Sequence, residues 1–150
     1  MSETSASVLV SASLAETWDY YFEPRWWPTW VDGFGSAAGG EGYPDAGGTL
    51  RWRSTPAGRG EVAETVLEHH PRRLHRVAFT DPQARGELVT TFEIKGDATL
   101  VEQRLSYGLV AGGAFGRVSD VLFIRTQQRR SLERSLTRLK HEVEEAAHFS

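Results

Sequence analysis

After Gly116 the chain carries neither proline nor glycine, the two residues that most readily end a helix. At 100° per residue, Phe115, Val118, Leu122, Leu132, Leu136, Leu139 and Val143 fall on one apolar stripe. The pattern predicts a single helix from about Ala114 to Ala146, roughly 45–50 Å long at ~1.5 Å per residue. A helix of that length, apolar along one side, spans the whole of a 150-residue domain and requires a broad apolar surface to pack on.

The sequence upstream supplies that surface as strands. Thr49–Ser54, Glu61–His69, Leu74–Thr80, Glu87–Ile94 and Thr99–Leu109 are β-rich runs closed by turn residues at Pro56, Pro71, Asp81-Pro82, Gly96-Asp97 and Gly112-Gly113. No helical stretch separates them, so they form a meander and an antiparallel sheet. The last two alternate. Leu88, Phe92 and Ile94 share a face with Thr90, and Val101, Leu105, Tyr107 and Leu109 share one with Gln103, opposite Glu87, Glu93, Glu102, Arg104 and Ser106. Gly35–Gly48 is glycine-rich and reads as one irregular strand and a loop.

At the N-terminus, Ser7–Ala12 reads as a first strand. Ser13-Leu14-Ala15-Glu16 has capping-box spacing for a short helix through Tyr21 or Phe22, ended before Pro24. Pro28 suits the first turn of a second short helix around Thr29–Val31, closed by Gly33. The whole predicts one α+β domain over residues 1–150: a curved antiparallel sheet of about seven strands around a long C-terminal helix, with two short helices after strand 1.

Seventeen Lys+Arg against twenty Asp+Glu give a net charge of −3, a balance that does not favour nucleic acid. With no cysteine, disulfides, thiolate nucleophiles and cysteine-ligated metals are excluded. No segment approaches the ~20 apolar residues of a membrane span, and Met1–Val10 lacks a signal peptide's basic and apolar regions; a cytoplasmic location is expected. His69-His70 are strand neighbours pointing to opposite faces and cannot readily chelate one metal. No phosphate-binding glycine motif and no Gly-x-Ser-x-Gly elbow occurs. No cofactor and no metal is expected.

This order of elements resembles the START-like (SRPBCC) superfamily, in its bacterial polyketide cyclase/dehydrase and lipid-transport branch, over about residues 5–146. Three stretches carry the resemblance: Val10–Asp19, similar to the opening strand and first helix; Trp27-Pro28-Thr29-Trp30, with the tryptophan of the second helix; and Ser135–Glu144, with its Leu-x-x-Leu-Lys and acidic residues. It implies a helix-grip fold and, first, binding or carriage of a lipophilic small molecule (lipid, polyketide or quinone-like) in an internal cavity. A polyketide cyclase, aromatase or dehydratase is the second expectation, and a regulatory or protein-interaction domain with little cavity the third.

A curved sheet around one helix leaves space its own side chains do not fill. The expected wall comprises Trp52, Val77, Phe79, Leu88, Phe92, Leu105 and Tyr107 from the strands, Trp30 from the second short helix, and Phe115, Val118 and Leu122 from the long one. Thr90, Gln103 and His75 are polar positions on these faces. Arg125 falls in the middle of the apolar stripe, with Arg129 one turn on. A buried arginine there needs a carboxylate, Glu64 being the candidate, or an acidic or carbonyl group on a ligand; otherwise the helix turns it to solvent. His75, Gln103, Tyr107 and Arg125 are the groups that could polarise carbonyls or take a proton if they converge. Trp26 and Trp27 are expected to be partly exposed. Ala111–Ala114 reads as a loop at the cavity entrance or a plain turn, and Gly33–Gly48 as a second lip. A homodimer through a sheet edge or the tryptophan cluster is an arrangement the sequence allows.

Overall fold

The computed structural model describes residues 2–56, 58–110 and 118–149. Strand β1 (Ser2–Val10) is followed by helix α1 (Leu14–Tyr21), a 3₁₀ turn (Pro24–Trp26) and helix α2 (Trp27–Trp30). Strands β2 (Phe34–Ala38), β3 (Thr49–Ser54), β4 (Glu61–His70), β5 (Leu74–Thr80), β6 (Ala84–Lys95) and β7 (Ala98–Leu109) lead to helix α3 (Val118–Phe149). These are the α+β architecture and seven strands read from the sequence.

The strands form one antiparallel sheet in the order β1-β7-β6-β5-β4-β3-β2. The meander from β2 to β7 is completed by β1 against the last strand, so β1 and β2 are opposite edges. The chain must therefore cross the sheet between Val10 and Phe34, and α1 and α2 make that crossing. α1 lies against β6 and β7, α2 against β2, and both touch α3. Irregularities at Phe34/Ser36 and Val66/Glu68 interrupt the register, the kind of insertion that bends and twists a strand.

Local signals explain the element starts. Ser13 caps α1: its hydroxyl accepts from the Glu16 N–H at 3.1 Å while the Glu16 carboxylate accepts from the Ser13 N–H at 3.2 Å, the reciprocal box its spacing implied. Pro28 stands in the first turn of α2, where a missing N–H costs no hydrogen bond. At Gly86, a Cβ would run into the Ser106 carbonyl of β7, so this close approach of β6 and β7 admits glycine alone.

α3 is tied down mainly in its C-terminal half. Leu132, Leu136, Leu139 and Val143 are buried, whereas no side chain described between Leu122 and Arg130 is. Lys140 Nζ donates to the Leu9 carbonyl at 2.8 Å, and Glu144 Oε2 accepts from the Ser11 N–H at 2.7 Å. The Leu-x-x-Leu-Lys pattern thus joins α3 to β1: the leucines by burial, the lysine and following glutamate by backbone hydrogen bonds. No helix among the described residues is long and apolar enough to cross a membrane.

Candidate functional site

Between the sheet, α2 and the middle of α3 lies a cavity of about 120 Å³. Tyr21, Trp27, Trp30, Phe34, Tyr43 and Trp52 supply aromatic wall, and Val31, Leu50, Val77, Leu88 and Leu132 aliphatic wall. The polar lining is short: Glu64, His75, Thr90 and Gln103 from the strands, Arg59 from the β3–β4 connection, and Asp32, Ser131 and Ser135 where α2 meets α3. An apolar chamber with a few fixed polar groups is the usual form of a small-molecule site.

The strand polar groups form two sets. In the first, the Tyr21 hydroxyl shares a hydrogen bond with Thr90 Oγ1 at 2.8 Å and accepts from Gln103 Nε2 at 3.0 Å. Burial pushes the Tyr21 phenol up to about 12, although its bonds to Thr90 and Gln103 pull the other way. It is a neutral hydrogen-bonding group at every physiological pH.

In the second set, the Trp52 indole N–H donates to Glu64 Oε2 at 2.9 Å. Glu64 keeps some accessible surface, but it lines the cavity. Burial raises its pKa, against the opposing bond from Trp52 and the charge of Arg59. Tyr43 is raised well above its ordinary value by burial, then by Glu64 and Tyr21. His75 is buried, and its Nδ1 lies 3.0 Å from His69 Nδ1. Burial, with the neighbouring His69 adding to it, lowers its pKa to about 3, so the ring is neutral. His75 Nε2 and Trp30 Nε1 are buried without hydrogen-bond partners among the described residues.

Asp32 holds the junction of α2 and α3. Its carboxylate accepts from Ser131 Oγ at 2.8 Å, from Arg134 Nε and Nη2 at 3.0 and 2.9 Å, and from Arg138 Nη1 at 3.2 Å. Its backbone N–H donates to Ser135 Oγ at 2.8 Å. Burial alone would raise the pKa of Asp32; the bonds from Arg134 and Ser131 and the charges of Arg134 and Arg138 outweigh it and lower it.

Of the residues singled out in the sequence, Trp30, Trp52, His75, Thr90 and Gln103 come together in the cavity wall, as do Val77 and Leu88. Phe79, Phe92, Leu105 and Tyr107 are buried in the core beside it without lining it. Phe115 and the Ala111–Ala114 segment lie outside the described residues, and Val118 is described in its backbone alone. Leu122 is 54% exposed, and Arg125 is exposed too. The apolar stripe of α3 is buried from Leu132 to Val143 but uncovered at Leu122. At 100° per residue Arg125 lies within about 20° of Leu132 and Leu136, so helix angle does not turn it outward; it is exposed with its neighbours, no side chain described between Leu122 and Arg130 being buried. Glu64 accordingly meets Trp52 rather than Arg125, and Arg129 pairs with Glu133 on the surface.

Trp27 corrects another expectation. It is 5% exposed, its indole N–H donating to the Tyr21 carbonyl at 2.9 Å, while Trp26 is 38% exposed with Arg25 over its ring. The helix containing Trp27 also begins two residues before the predicted Thr29. Nor is Gly33–Gly48 a loose lip: Gly47 N–H donates to the Val66 carbonyl and Val66 N–H to the Gly48 carbonyl, docking the loop on β4. This docking brings Tyr43 to the cavity, a residue no periodicity marks. Arg59 carried no signal either. Ser131 and Ser135 did: two small polar residues, four apart, flanking Leu132 and Leu136.

A seven-stranded sheet, a long C-terminal helix and a chamber between them walled by aromatic, aliphatic and polar side chains define a helix-grip protein of the START-like class. Residues 1–144 match the family described as polyketide cyclase / dehydrase and lipid transport, and the chain belongs to it. Comparison with curated proteins gave no match. Among solved structures, the Zhui aromatase/cyclase from Streptomyces sp. R1128 is similar with TM-score 0.77 and 14% identity, over 95% of this chain and 93% of that one. The di-domain aromatase/cyclase StfQ from the steffimycin biosynthetic pathway has TM-score 0.78 and 13% identity, over 97% of this chain and 52% of that one. A START superfamily protein from Mycobacterium smegmatis has TM-score 0.73 and 14% identity, over 96% and 98%. At such identities the likeness is one of fold.

Proposed function

We propose that this protein binds a lipophilic small molecule, with an aromatic or similarly flat body, in the chamber between sheet and α3. The observation that carries the reading is the wall itself: six aromatic rings and a handful of polar groups around unfilled space. Aromatic faces offer large apolar area in fixed geometry, and the Tyr21–Thr90–Gln103 set offers hydrogen bonds without charge. Both the family and the fold accommodate this role.

The test is calorimetric titration with naphthylethanol, together with native mass spectrometry of the freshly purified protein. Leu88→Phe should fill part of the chamber at a stability cost of about 1–3 kcal/mol. Binding by the natural protein and its loss in a folded Leu88→Phe variant support the reading. Absence of binding by the natural protein, or equal binding by the variant, would overturn it.

A second reading, cyclisation or dehydration of a poly-ketone, draws on one observation. His75 is neutral, stands in the cavity wall and has an Nε2 without a partner among the described residues, so its ring has a nitrogen free to hydrogen-bond a ketone or enol of the ligand. Under this reading, His75→Phe abolishes turnover of a poly-ketone while naphthylethanol still binds.

A further inference from the structure

Outside the cavity, a second space of about 380 Å³ opens between α3 and the loops around Arg59 and Gln83. Arg59 and Ser131 line both spaces, so the two are adjacent. Their chemistry differs sharply. The outer groove carries three guanidinium groups, Arg59, Arg130 and Arg134, with the amides of Gln83, Gln127 and Gln128, and no carboxylate among its described lining residues.

Much of this donor capacity is unspent. Arg59 gives only its Nε to Asp81, at 2.9 Å, while its guanidinium lies 5.3 Å from the Trp52 ring centroid and 5.0 Å from that of Phe79. It therefore stands at the boundary between the apolar wall and the groove, with its terminal nitrogens uncommitted among the described residues. Arg134 uses Nε and Nη2 on Asp32 and keeps Nη1. Arg130 forms no ion pair among the described residues, and the three glutamine side chains make no hydrogen bonds within them. Asp81 and Asp32 pair with Arg59 and Arg134, which leaves the described lining net positive through Arg130. Guanidinium forks and amide N–H groups converging on one space suit a planar or tetrahedral oxyanion.

We infer that this groove holds the anionic head, a carboxylate or a phosphate, of the ligand whose apolar body occupies the cavity. The inference rests on the cavity reading above and adds the ligand's polarity and direction: ring system inward past Arg59, acid outward between Arg59 and Arg130. The Arg59 guanidinium covers both parts, stacked on Trp52 and Phe79 on one side and open to the oxyanion on the other.

Three probes with one apolar body test it by calorimetry: naphthylacetate, naphthylmethyl phosphate and uncharged naphthylethanol, with inorganic phosphate as the headgroup alone. Naphthylacetate or naphthylmethyl phosphate should bind about tenfold more tightly than the alcohol at low salt, the scale of one charge-assisted contact. The stronger of the two identifies the head as carboxylate or phosphate. Arg130→Gln, on an exposed helix face, should bring that advantage to within about threefold and leave the alcohol's affinity unchanged, and added salt should erode it likewise. Equal binding of alcohol and acids overturns the head site while the cavity reading stands. An anion advantage that Arg130→Gln does not diminish, or inorganic phosphate binding as tightly as the naphthyl acids, also overturns it. If none of the naphthyl probes binds, the cavity reading itself fails and the inference falls with it.

Discussion

His75 Nδ1 lies 3.0 Å from His69 Nδ1 across the paired strands β4 and β5, a spacing at which one proton is shared and both rings cannot be cationic at low cost. His75 lies deeper, with Phe22 and Tyr43 packed nearly perpendicular to its ring.

A pH-dependent stability follows. In the unfolded chain the His75 imidazole titrates near its ordinary 6.5; in the fold it titrates at about 3. Between those values the unfolded state binds more protons, so stability rises with pH through the window and is lost as pH falls below about 6.5. One such group contributes a slope of at most ~1.4 kcal/mol per pH unit. Urea unfolding of the natural protein and His75→Phe at pH 7, 6, 5 and 4 should show the variant losing less stability on acidification. Parallel curves would mean that His75 is not buried neutral.

Glu64 has the opposite sign. Its pKa is raised in the fold, so the folded state holds its proton more tightly, and stability falls as pH rises from the unfolded value through the folded one. Glu64→Gln removes the ionisation while leaving an oxygen to accept from Trp52. The variant should melt above the natural protein at pH 8, with the gap closing at pH 4. A lower melting temperature at pH 8 would place a charged, well-compensated carboxylate there instead.

At Asp32 the carboxylate joins the α2–β2 connection to three side chains of α3. Arg134 and Arg138 are about half exposed, so solvent screening keeps each ion pair small. Asp32→Ala should cost about 1–2 kcal/mol at pH 7, most of it from the hydrogen bonds. Because the Asp32 pKa is depressed, the difference should shrink as pH falls through its folded value, the neutral carboxyl keeping only its weaker hydrogen bonds. Chemical denaturation at pH 7 and at acid pH checks both.

Much of this fold was legible because its signals are local and periodic. The capping box at Ser13 and Glu16, the alternation of His75, Val77 and Phe79, and the leucines of α3 each report one element's own geometry. The inward strand residues Trp52, His75, Thr90 and Gln103 could be named because a strand's parity assigns its faces. Periodicity puts Arg125 on the same line as Leu132 and Leu136 and leaves cavity and solvent both open to it. How much of that line is covered depends on α2 and β1, which hold α3 through Asp32, Lys140 and Glu144 and leave the stretch from Leu122 to Arg130 without a buried side chain. Tyr43 and Arg59 come from irregular segments, where position depends on hydrogen bonds such as Gly47 to Val66 that leave no pattern in sequence.

The Tyr21–Thr90–Gln103 set makes the last measurable claim. Removing the phenol hydroxyl with Tyr21→Phe leaves Gln103 Nε2 with Thr90 alone, at 3.5 Å. Removing the other side with Thr90→Val leaves the Tyr21 hydroxyl with only Gln103. Each single change strands a buried polar group, at about 1–3 kcal/mol. The double variant takes out both ends of the 2.8 Å bond and should cost less than the sum, since the second substitution finds the first partner already gone. A coupling of about 0.5–3 kcal/mol in a double-mutant cycle is the expected scale for residues in contact. Strict additivity would mean that the two hydroxyls do not bond, and that the polar floor of the cavity is two separate groups.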